Sequence, residues 1–181
     1  MGIFLSFSPW IVFWVLSGRE SFVIAAAAAT VVVFSIIIRE IREHSAKVLD
    51  IGSLLFFVFL TVVAFTPYSE AIDSNALPLS NVALFLITIV SILIRKPFTL
   101  QYAREQVDKK FWDSPGFYST NLVITWVWCV TFAIIAVVSY MALHHPFMLD
   151  RVIHILAFVG AIKFTSWYPH YVKKKRGGVV D

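Results

Sequence analysis

The side chains best placed to do chemistry are ionisable groups next to or inside apolar runs. His144, His145, Asp150, Arg151 and His154 crowd one short turn between two such runs. Asp150 and His154 are four apart and so share one helical face. Three imidazoles and a carboxylate can hold zinc or pass protons near neutral pH. Their spacing matches no HExxH or other established metal motif, and a wet interfacial turn accounts for the same residues. His144, His145, Asp150 and His154 are therefore weak metal candidates. No metal and no cofactor are expected.

Lys163 is the one formal charge well inside an apolar run. An ionisable residue within a membrane marks a functional site by default. The basic tail begins only a few turns further on, so the ammonium can also snorkel to the head groups. Its partner, if it faces inward, is expected to be Asp50. Asn121 and Thr125 share a face of a later run, and Thr131 follows. Asp50, Asn121, Thr125 and Lys163 together form the kind of polar path a small transporter or channel needs. More often such residues hydrogen-bond a neighbouring helix. The chain has no glycine-rich phosphate loop, no Ser/His/Asp spacing, no CxxC and no paired carboxylates within a run. No enzyme is expected. Cys129 is the sole cysteine, which excludes an internal disulfide, and its apolar setting makes it a small packing residue.

The elements that hold these residues follow from composition. Of 181 residues, 59% are hydrophobic and 14% charged, and the mean hydropathy is +0.81. A soluble domain carries about 25% charged residues, and one core of this size cannot hide the apolar surplus. The expectation is an all-α, polytopic membrane protein with one domain over residues 1–172 and a basic tail at 173–181. About six spans are expected, at 3–17, 21–38, 51–66, 77–94, 117–143 and 147–167. Pro9 interrupts the first, which either crosses or is re-entrant. Ala25 to Ala29 offer a small-residue face to a neighbouring helix, and Ala157, Gly160 and Ala161 a second. Trp10 and Trp14 are expected at the interface, while Trp126 and Trp128 lie deeper and pack.

Residues 95–128 contain the one long polar interval, with eight of the 26 charged residues. After Pro97, Leu100, Ala103, Val107 and Phe111 fall on one stripe, flanked by Phe98 and Tyr102. Arg104 with Asp108 and Glu105 with Lys109 are spaced to pair. This pattern predicts an interfacial amphipathic helix over 98–112, between the fourth and fifth spans. Arg95, Lys96, Phe98, Tyr102, Arg104, Lys109, Lys110, Phe111 and Trp112 form the expected contact surface for lipid or a partner.

Charge placement sets the orientation. With both termini cytoplasmic, the inner segments hold twelve Lys and Arg residues, among them Arg39, Arg42, Lys47 and the run Lys173 to Arg176, against Arg19 and Arg151 outside. The blocks lie between apolar runs, so the net charge of +4 does not indicate nucleic acid.

The order of FLSFSPWIVFWVL, a charged loop after the second span, Arg95-Lys96-Pro97, and then Trp112, Asn121 and Trp126 resembles the bacterial intracellular septation protein A family. The similarity covers roughly residues 4–145 in layout. The longer, more charged stretch after Pro97 and the Lys-rich tail depart from it. The resemblance implies a bacterial cytoplasmic-membrane protein working in envelope synthesis or division through protein partners, with no catalytic residues to carry over. The expected function is a non-enzymatic inner-membrane scaffold or accessory protein in envelope maintenance or septation. It would contact membrane lipids and envelope proteins, with a homo-oligomer as a further option. The alternative is the small transporter or channel.

Overall fold

The computed structural model describes residues 2–17, 21–144 and 149–175. Among them the secondary structure is helical throughout, with no strand. The elements are α1 (Ile3–Ser6), α2 (Ser8–Leu16), α3 (Phe22–Arg42), α4 (Val48–Val63), α5 (Ser69–Asp73), α6 (Ala76–Leu93), α7 (Phe98–Ala103), a 3-10 turn (Lys109–Phe111), α8 (Pro115–His144) and α9 (Asp150–Lys175).

Four helices, α3, α6, α8 and α9, are long and apolar enough to cross a bilayer. Two shorter apolar stretches, Ile3–Leu16 and Val48–Val63, accompany them. The apolar surface does not all turn inward. Val31, Leu55, Phe65 and Leu93 are each more than two-thirds exposed, an arrangement suited to lipid and rare on a soluble monomer.

The N-terminal pair α1–α2 packs one face into the bundle and leaves Phe4, Ile11 and Val15 exposed. Pro9 sits at the second position of α2, where its missing N–H costs no helical bond. Trp10 and Phe13 are fully buried. Trp10 stacks on Phe56 at 5.2 Å and meets Phe57 at 4.8 Å, and its indole N–H donates to Ser53 Oγ at 2.8 Å. Trp10 is thus a core residue and not part of an interfacial belt. Trp14 donates to Ser80 Oγ on α6. Trp128 is also buried, as expected, while Trp126 is about half exposed.

Helices α2, α3 and α4 pack closely because small residues line their contacts. Ala25, Ala26 and Ala29 are fully buried, and Thr30 shares a hydrogen bond with Thr61. Gly52 lets α4 approach α6, since a Cβ there would lie 2.6 Å from Ile87 Cγ1. The second small-residue face does not form at Gly160, which meets nothing within 4 Å. Ala161 beside it is buried.

Residues 98–112 do not form one helix lying on the surface. Helix α7 ends after six residues, and only the 3-10 turn follows. Phe98, Thr99, Leu100 and Tyr102 are buried, so α7 inserts into the end of the bundle. The Phe98 N–H donates to Ser91 Oγ, and the Thr99 hydroxyl reaches Asn121 O and Thr125 Oγ1 at 2.9 and 2.8 Å. These side-chain bonds anchor the start of α7 to α6 and α8, which an interfacial helix would not need.

Candidate functional site: a buried polar cluster at one end of the bundle

The turn between α3 and α4 brings two carboxylates and an amine indoors. Glu40 and Asp50 are almost fully buried, as is Lys47 between them. The turn is tight because α3 ends with His44 in the left-handed region at φ 50°, with Ser45 N–H donating back to Glu40 O at 2.9 Å. That cap folds Lys47 back onto the last turn of α3. Its ammonium pairs with Glu40 Oε1 and with Glu105 Oε1 at 2.9 Å, while its backbone N–H donates to Glu40 Oε2 at 3.1 Å. Burial works against the charge on Lys47, but the Glu40 and Glu105 carboxylates outweigh it and hold the amine above its ordinary value.

Asp50 stands one turn further along. Its Oδ2 accepts from Ser6 Oγ at 2.9 Å and from the Tyr102 hydroxyl at 3.0 Å. Burial, and then the Asp50 charge, push the Tyr102 phenol well above its usual range, so it remains a donor. Gln101 completes the contact by accepting from the Val48 N–H at 2.9 Å. Lys47 Nζ also lies 5.2 Å from the Tyr102 ring centroid. The cluster therefore joins α1, the end of α3, the α3–α4 turn, α4 and α7 with the residues just after it.

Several expected site residues lie elsewhere. Asp50 and Lys163 do not pair. Lys163 is exposed on α9, while Asp50 is held by Ser6 and Tyr102. Asn121 and Thr125 are buried, but the Asn121 amide donates to Phe117 O, and Thr125 is engaged by Thr99 and Asn121 O. Phe98 and Tyr102 belong to the core, which removes them from the expected contact surface. Arg95, Lys96, Lys109 and Lys110 are exposed. Trp112 has Arg104 and Lys109 within 5.3 and 5.9 Å of its ring, and Phe111 has Lys110 at 4.7 Å. Glu105 pairs with Lys47, where a helical repeat would have given it Lys109.

At the other end, His154 is committed within the bundle. Its Nε2 bonds Ser139 Oγ at 2.8 Å and its Nδ1 bonds Asp150 O at 2.7 Å. Asn81 donates to the same Ser139 at 3.1 Å. Among the described residues, no three His, Cys, Asp or Glu side chains group to hold a metal. The side chains of His144 and His145 lie outside the described residues.

Ser6, Glu40, Lys47, Thr99 and Gln101 escaped the sequence reading. Glu40 and Lys47 are visible there as charges of a loop, but nothing in their spacing predicts burial. Chemically the cluster is an array of hydrogen bonds and ion pairs within the chain, with Asp50 Oδ1 as its one buried carboxylate oxygen left without a hydrogen-bond partner.

No protein-family description, no curated protein and no solved structure matches this chain.

Proposed function

We propose that the chain is a six-span integral protein of a bacterial cytoplasmic membrane, with both termini inside. In this account it acts without catalysis as a scaffold or accessory factor in envelope maintenance or septation. The observation that carries the reading is that the side chains a transport path would use bond to their neighbours, with Asp50 Oδ1 and Asn81 Oδ1 as exceptions. Asp50, Asn121 and Thr125, the residues a transport path would need, are held by Ser6, Tyr102, Phe117 O and Thr99. Lys163 stands apart on the outer helix.

Two further points support it. Ser6, Glu40, Lys47, Asp50 and Tyr102 meet at one end of the bundle, as they do if successive spans alternate in direction. That end also carries Arg95, Lys96, Lys109 and Lys110, in keeping with retention of positive charge in the cytoplasm. The exposed cations beside Phe111 and Trp112 then serve as a contact surface for anionic lipid and envelope proteins. The resemblance of residues 4–145 to the septation protein A family is what directs the proposal to the envelope.

The test places single cysteines at Lys110 and Tyr68, and a photo-crosslinker at Lys110, in the full chain in bacterial cells. Lys110→Cys is expected to label only after the membrane is permeabilised, and Tyr68→Cys without it. Crosslinks to division or envelope-synthesis proteins should fall severalfold when Lys96 and Lys109 are changed to Glu. Labelling of both cysteines from the same side refutes the topology, and crosslinks indifferent to the charge reversal refute the contact surface.

A further inference from the structure

Ala161 is the one buried residue among those described in α9. Phe158 reaches inward to Trp14 at 5.8 Å and Trp128 at 6.0 Å, and Thr165 accepts from the Trp128 indole. On either side of Phe158 the helix stands away from its neighbours. One cavity of about 770 Å³ opens toward Asn81, Ser139 and His154. Another of about 600 Å³ opens past Phe7, Ile11 and Ile162 toward His170. Trp14 and Phe158 line both as a common wall, and the larger cavity forms a groove along the first half of α9. From Asp150 to Val159 it runs roughly 14 Å at 1.5 Å per residue, about half of a hydrocarbon core about 30 Å thick.

We propose that this groove holds an acyl chain of a phospholipid whose head group carries a primary ammonium, seated where Asn81, Asp150 and Arg151 meet.

The walls of the groove are mainly apolar, and Asn81, Ser139, Asp150, Arg151 and His154 supply its polar groups. Of these, Asn81 is 4% exposed. Its amide nitrogen is spent on Leu77 O and Ser139 Oγ, which fixes Oδ1 as an acceptor, and Oδ1 has no partner. A buried acceptor left empty costs about 1–3 kcal/mol, so a donor belongs at that point. Asp150 and Arg151, one acidic and one basic, line the same groove. Two acceptors and one cation complement an ammonium and a phosphate, with the guanidinium suited to the phosphate. His154 contributes no free nitrogen, since both are engaged. A choline head group has no N–H for Asn81, and a purely anionic one leaves Asp150 opposed. The proposal needs the chain to lie in a bilayer and is independent of the scaffold role.

The test is native mass spectrometry of the full chain released from nanodiscs containing equal amounts of phosphatidylethanolamine, phosphatidylcholine and phosphatidylglycerol. Phosphatidylethanolamine should be retained over phosphatidylcholine by about fivefold, the weight of one hydrogen bond. Val159 lines the groove and is 41% exposed, so Val159→Trp should fill the groove and lose the lipid while the helical spectrum is kept. Asp150→Asn should keep a bound lipid and lose the preference. Equal retention of phosphatidylcholine, preference for phosphatidylglycerol, or unchanged retention in Val159→Trp overturns the proposal. So does a lipid-free dimer, which would mean that a second copy covers the groove.

Discussion

Lys47 Nζ lies 2.9 Å from Glu105 Oε1, across 58 residues of sequence, and so ties the α3–α4 turn to the segment that follows α7. The same ammonium pairs with buried Glu40. This three-residue bridge, with the Ser6–Asp50–Tyr102 bonds beside it, closes one end of the bundle.

Removing the amine strands a buried charge. Lys47→Met is expected to cost about 3 kcal/mol, since breaking a buried pair leaves its partner uncompensated. Glu105→Gln should cost about 1 kcal/mol or less, because that side chain keeps some contact with solvent. Chemical denaturation in detergent checks both, and equal losses would contradict the assignment of Glu40 as the main partner.

The pH dependence follows with a definite sign. The Lys47 amine is raised in the folded state by Glu40 and Glu105, which outweigh its burial. Its contribution is then complete below the unfolded value of about 10.4 and is lost as pH rises through the higher folded value. Unfolding temperature should fall on this account above about pH 10, and Lys47→Met should remove that part of the fall. A bridge whose contribution vanished on acidification toward neutrality would contradict the sign.

Tyr102→Phe removes one of two donors to Asp50 and should cost about 1–2 kcal/mol, the range for unsatisfying a buried acceptor. Ser6→Ala should cost a similar amount. The double variant should exceed the sum of the two, because the carboxylate then has neither donor. Simple additivity, measured by the same unfolding curves, would show that Asp50 finds other partners.

Gly52 and Gly160 should respond oppositely. Gly52→Ala places a Cβ against Ile87 and should cost about 1–3 kcal/mol as overpacking. Ile87→Ala should recover part of that loss. Gly160→Ala meets open space and should stabilise α9 by up to about 1 kcal/mol through helix propensity.

Helical class, apolar segments and the buried alanines of α3 were legible in the sequence, because hydropathy and small-residue runs are local signals. The cluster was not. Asp50 takes its donors from 44 and 52 residues away, and no period in the chain encodes that meeting. The 98–112 stripe misled for a related reason. Its repeat suits an amphipathic helix, but Thr99, Gln101 and Tyr102 bond to α8 and α4, and those tertiary bonds take α7 inside. Glu105 then goes to Lys47, and the local pairing with Lys109 is given up. Trp10 likewise reads as a belt residue until Ser53 supplies an acceptor for its indole within the core.

The central claim is that the inner polar residues hold the bundle together and do not conduct. It is tested most directly by proton flux into proteoliposomes loaded with a pH-sensitive dye, under an imposed gradient, with the full chain in a bilayer. The account predicts a rate equal to that of protein-free vesicles, unchanged in Asp50→Asn and Lys163→Met. A rate above that of protein-free vesicles that disappears in either variant would contradict it.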